Sequence, residues 1–171
     1  IGEAALVANT TGTRNVADGI NTLHTNTTGQ YNVAIGHLAL NDNTTANSNV
    51  AIGTESLDVN TTGADNTAVG TNSLTSNTTA ANNTAVGSGA MASNTTGTCN
   101  VAIGMNSLAV TTTAPNNTAI GAFAMCSNTE GNTNVAVGRL SAKNITTGDD
   151  NVAIGNEAMS GLTTGNNNVS L

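Results

Sequence analysis

The segment Asn-(Val/Thr)-Ala-(Ile/Val)-Gly, or a close variant, begins at Asn15, Asn32, Asn49, Asn66, Asn83, Asn100, Asn117, Asn134, Asn151 and Asn168, and every interval is 17 residues. A period this short excludes independent globular units, because so few residues cannot enclose a core of their own. Neighbouring units must bury one another instead, and strand on strand at about 4.8 Å ten of them would form a rod about 48 Å long. The expected fold is therefore all-β: a parallel β-solenoid, or β-roll, of ten 17-residue coils making one repeat array over residues 1–171. Both termini fall inside the motif, so the sequence reads as an excerpt of a longer fibrous protein.

A single unit, from Asn49 to Asp65, shows the parts: a short strand ending at Gly53, a second apolar anchor at Leu57, and a turn written Asn60, Thr61, Thr62, Gly63. A residue type that recurs at one place in every unit reports a recurring environment. Two columns are apolar nearly throughout and are expected to fill the coil: Ile35, Ile52, Val69, Val86, Ile103, Ile120, Val137 and Ile154, with Leu40, Leu57, Leu74, Met91, Leu108, Met125 and Met159. Side chains alternate along a strand, so the Ala column between them (Ala17, Ala34, Ala51, Ala68, Ala85, Ala102, Ala119, Ala136, Ala153) is expected on the opposite face. Solvent has no reason to demand Ala, and that face is expected to be a close-packed seam between copies of the chain. The glycines after each strand are expected to serve a positive φ or a close backbone approach rather than a phosphate.

Composition supports an assembly over a compact enzyme. Leu, Ile, Val and Phe number 32 of 171 residues, Trp is absent, and Tyr31 and Phe123 are the only aromatics, so large core-filling side chains are scarce. The net charge is −7, with Arg14, Arg139 and Lys143 the only basic residues, which argues against nucleic acid or an anionic membrane as partner. No apolar run approaches the ~18 residues of a membrane span, so no membrane insertion is expected in this segment. Cys99 and Cys126 lack zinc spacing and are expected to be unpaired.

The polar columns read as structural. Ten carboxamides in register, Asn15 to Asn168, are expected to form an amide ladder. The Asn-Thr-Thr turns at Asn9, Asn26, Asn43, Asn60, Asn77 and Asn94 also match the N-glycosylation acceptor pattern, although turn chemistry alone produces that match. The unbroken column Thr10, Thr27, Thr44, Thr61, Thr78, Thr95, Thr112, Thr129, Thr146 and Thr163 raises ice binding as an alternative function. Adjacent Thr pairs in a turn face different ways, which counts against a flat Thr array. The acidic residues Asp18, Asp42, Glu55, Asp58, Asp65, Glu130, Asp149, Asp150 and Glu157 occupy scattered columns, without the repeated Asp of a calcium-binding roll. His24 and His37 lie in different columns and no Gly-x-Ser-x-Gly elbow occurs, so no catalytic residues, metal or cofactor are expected. Asp18 and Ala142 break their apolar columns and read as tolerated defects.

The runs Asn32 to Gly36, Asn100 to Gly104 and Asn151 to Gly155, each Asn-Val-Ala-Ile-Gly, resemble the head repeats of YadA-like trimeric autotransporter adhesins and related phage tail-fibre repeats. The resemblance implies a homotrimer of parallel β-rolls with the Ala face toward neighbouring chains. It further implies an extracellular, cell-surface or virion-surface fibre, adhesin head or tail-fibre shaft, giving reach, rigidity and attachment, with a cell-surface receptor or glycan as candidate partner. The longer unit, with its added Asn-Thr-Thr-Gly turn, departs from the adhesin pattern and looks closer to tail-fibre repeats. A self-assembling extracellular filament, its chains adding end to end, is the structural alternative.

Overall fold

The computed structural model describes residues 2–171. Ten short parallel strands form one sheet in sequence order: β1 (Val16–Asp18), β2 (Val33–Ile35), β3 (Val50–Ile52), β4 (Thr67–Val69), β5 (Thr84–Val86), β6 (Val101–Ile103), β7 (Thr118–Ile120), β8 (Val135–Val137), β9 (Val152–Ile154) and β10 (Val169–Ser170). Pairing has no offset: Val33 meets Val50, Ala34 meets Ala51 and Ile35 meets Ile52. Each repeat therefore closes one turn and returns the chain to the same place one strand spacing further on. The fold is an all-β parallel β-solenoid with 17 residues per coil, and no helix occurs among the described residues.

In the coil that starts at Asn66 the inward side chains are Asn66, Ala68, Ser73, Leu74, Asn77 and Ala80, none more than 2% exposed. The strand thus faces the opposite way from the sequence expectation. Ala34, Ala51, Ala68, Ala85, Ala102, Ala119, Ala136 and Ala153 are fully buried within their own chain, and Ala17 packs against the same core at the first strand. Ile35, Ile52, Ile103, Ile120 and Ile154 stand on the outer face at 37–44% exposure, and Val69, Val86 and Val137 are half-buried beside them. The Ala column is therefore coil core and no intersubunit seam, and the Ile/Val column is outer surface and no core.

Coil width explains the inversion. Leu40, Leu57, Leu74, Met91, Leu108 and Met125 are fully buried in one cluster with the Ala methyls, while Met159 is partly covered near the C-terminal end. With one long side chain per coil already in the interior, the strand's inward position admits only a methyl, and the β-branched residues turn outward. Tight closure also needs left-handed backbone at recurring places: Glu55 (φ 55°), Leu57 (φ 50°) and Asp65 (φ 58°) in one unit. That conformation costs an L residue roughly 1–2 kcal/mol. Burial of a Leu side chain contributes ~2 kcal/mol, enough to offset the strain at Leu57. Gly53, at φ 136°, has no such freedom of choice, since a Cβ there would lie 2.7 Å from the carbonyl of Gly70 in the next coil.

Ala142 is a compensated change rather than a defect. In its coil the Leu/Met position is Ala142, and three residues on, where most coils have Asn, stands Ile145, fully buried. The hydrocarbon removed at one inward position returns at the other, which keeps the interior filled.

Candidate functional site

Two columns of carboxamides line the interior. In the first, which runs from Asn15 to Asn168, each side chain up to Asn151 brackets backbone groups: Asn49 Oδ1 accepts the N–H of Asn66 at 2.9 Å, and Asn49 Nδ2 donates to the Gly63 carbonyl across the coil at 2.9 Å. From Asn32 to Asn151 these residues are essentially inaccessible, whereas Asn15 is half-buried and Asn168 is exposed. Direct amide-to-amide bonds occur at some rungs, such as Asn151 Nδ2 to Asn134 Oδ1 at 3.0 Å.

The continuous amide-to-amide ladder is a different column, the first residues of the Asn-Thr-Thr turns. Asn26 donates to Asn9 at 2.9 Å, Asn43 to Asn26 at 2.8 Å, Asn60 to Asn43 at 3.3 Å, Asn77 to Asn60 at 2.8 Å and Asn94 to Asn77 at 3.0 Å. Each of these donors also reaches the carbonyl three residues ahead, as Asn60 does to Gly63 at 2.9 Å. Asn26, Asn43, Asn60, Asn77 and Asn94 are fully buried, so folding removes them as glycan acceptors. The sequence pattern marks them only as turn residues that match a glycan-acceptor motif. The signal that reveals them is substitution within the column: Thr111, Ile145 and Leu162 stand in for Asn, and a solvated turn gives no reason for Ile or Leu there.

The threonine column beside this ladder is engaged along the rod axis. Thr27 Oγ1 donates to the Thr44 carbonyl at 3.0 Å and Thr61 Oγ1 to that of Thr78 at 3.0 Å. The rank left facing solvent is the next one, Thr11, Thr28, Thr45, Thr62, Thr79, Thr96, Thr113, Thr147 and Thr164, a single file interrupted by Glu130.

The outer sheet face is a second regular feature open to solvent. From β2 to β9 it carries only Val or Thr in one rank and Ile or Val in the other, and the sole charge on the face is Asp18 in β1. At strand spacings of about 4.8 Å and 3.3 Å per residue, the ten strands span about 48 by 10 Å, roughly 500 Å². Isolated exposed apolar side chains are ordinary, and a contiguous face of that size is in the range of the largest patch on a typical monomer, which often carries function.

Apart from Asp18, the charged groups lie off this face. Burial, then the nearby carboxylates of Asp42 and Glu55, push the Asp58 carboxyl above its usual range, with His37 opposing. Among the described residues no group of three His, Cys, Asp or Glu gathers closely enough to hold a metal ion. Arg139 pairs with Glu157 at 3.5 Å with both side chains largely in solvent, Arg14 stacks over the Tyr31 ring at 5.1 Å, and Cys99 and Cys126 are free thiols. Among the described residues, no helix is long and apolar enough to cross a membrane.

Fold and columns together define a β-solenoid repeat protein held by internal amide ladders, with one sheet face, uncharged from β2 to β9, turned outward. Comparison of the chain with protein-family models, with curated proteins and with solved structures gave no match.

Proposed function

We propose that this chain is a rigid segment of an extracellular or virion-surface fibre, working by reach, stiffness and display, and that three copies join along their outer sheet faces. The observation that carries the proposal is the uninterrupted Val/Thr and Ile/Val face from β2 to β9. Water exclusion favours covering such a face, and the acidic side chains other than Asp18 lie off it, where they keep other surfaces apart. Three copies suit its shape better than two. The strand offers only two outward side chains in width, so one flat partner would leave both flanks of the ribbon wet, whereas three ribbons around an axis enclose one another's flanks. The resemblance of the repeats to trimeric adhesin heads and tail fibres supports the number of copies but not the face, since the Ala column it implies as the contact is inside the coil. Attachment to a receptor or glycan would then fall to the turns that face outward from the bundle.

Light scattering gives the absolute mass in solution, and three chains are expected. Ile52→Lys combined with Ile103→Lys, both on the outer face, should reduce the mass to one chain with the far-UV circular dichroism unchanged. A native chain that is monomeric at all concentrations would overturn the proposal.

A further inference from the structure

The bonds that tie each turn to the next fail at one junction. The first threonine of a turn donates both its backbone N–H and its Oγ1 to the carbonyl one coil ahead: Thr61 to Thr78 at 2.9 and 3.0 Å, Thr95 to Thr112 at 2.9 and 3.1 Å, Thr129 to Thr146 at 3.0 and 3.1 Å. Among the described residues this pair of bonds recurs at every junction from Thr10 to Thr163 except one, where Thr112 makes neither bond to Thr129. Thr113 makes none to it either, as is also the case for its equivalents Thr79 and Thr147, so the two bonds of Thr112 are what set this junction apart.

The interior ladder stops one junction earlier, between the β5 and β6 coils. Asn94 Oδ1 is buried without a hydrogen-bond partner, because the next rung is Thr111, whose hydroxyl donates instead to the Asn128 carbonyl at 2.9 Å. Pro115 closes the same turn with no N–H to offer. On the opposite side of the coil nothing is lost: β6 and β7 pair in full register, and Asn100 Oδ1 accepts the N–H of Asn117 at 2.8 Å.

We infer that residues 110–116 form a hinge built into the rod. The turn edge opens between these two coils while the strand edge holds, so the rod bends about the β6–β7 line before any other interior junction yields. Local opening is drawn from regions with the fewest cooperative bonds, and here both bonds of Thr112 are missing together. The inference does not depend on oligomeric state, since the turn edge lies away from the outer sheet face.

Limited proteolysis of the 171-residue chain with proteinase K, mapped by mass spectrometry, tests it. Among interior turns, cleavage within 110–116 should lead by about tenfold, the equivalent of one to two net hydrogen bonds. Pro115→Ala, which gives this turn the residue found at Ala64 and Ala81 in coils whose Thr61 and Thr78 keep both bonds, should slow that cut toward the rate of the other turns. Equal cutting at all interior turns, or a well-folded Pro115→Ala chain cut as fast as before, would overturn the hinge. If the variant does not fold, hydrogen exchange of the unaltered chain decides: peptides over 94–116 should exchange faster than their equivalents over 60–82, and equal protection would refute the inference.

Discussion

At the scale of single residues the coil depends on backbone that most side chains resist. The last position of the unit is left-handed throughout, and its occupants include Asn82 (φ 62°), Asn116 (φ 61°), Asn167 (φ 58°) and Asp65 (φ 58°), types whose short polar side chains tolerate that conformation. Thr133 occupies the same position at φ 59°, where a β-branched residue is a true outlier. Thr133→Asn should therefore raise stability by about 1 kcal/mol, read as a higher thermal midpoint with an unchanged spectrum. Column membership of this kind is legible in sequence, because Asn and Asp recur at the position. The exchange of bulk between Ala142 and Ile145 is not legible one column at a time. It appears only once both columns are known to share one interior.

At the scale of the element, the strand shows what periodicity leaves open. Alternation in Val-Ala-Ile separates two faces, and the 17-residue interval sets register and order, which the sheet follows without offset. Alternation carries no sign, however. Which face turns inward is decided by the volume remaining after Leu or Met has filled the coil, and that quantity belongs to the closed coil rather than to any run of residues. Apolarity pointed to Ile and Val as core, and the narrow interior selected Ala. The Ala102→Leu variant separates the two arrangements. In an intersubunit seam it would break assembly and spare the coil; inside the coil it must overpack a closed space. With Ala102 fully buried, the variant should lose about 1–3 kcal/mol or more, lowering the thermal midpoint whatever the protein concentration. A midpoint unchanged at high dilution would restore the seam reading. The same inversion explains why the amide ladder of the Asn-Thr-Thr turns was missed: a turn signature describes backbone geometry and does not say whether the Asn side chain folds back into the coil.

At the scale of the whole molecule, the rod's energetics are those of a one-dimensional stack, in which each coil is stabilised by its neighbours and little else. Its surface chemistry is strongly asymmetric. The chain carries a net charge of −7 with three basic residues, yet one long face is almost without charge. Association through that face sets two terms against each other: removal of apolar surface from water, which salt does not weaken, and repulsion between acidic rods, which salt screens over a Debye length of about 10 Å at 0.1 M. Only the repulsive term falls as ionic strength rises. The three-chain mass proposed above should therefore persist to lower protein concentration at 0.5 M sodium chloride than at 0.02 M, measured by light scattering on a dilution series. An interface built on ion pairs would move in the opposite direction, because screening would weaken the attraction holding it. A chain that dissociates more readily in high salt would place the contact on the charged turns and away from the Val/Thr and Ile/Val face.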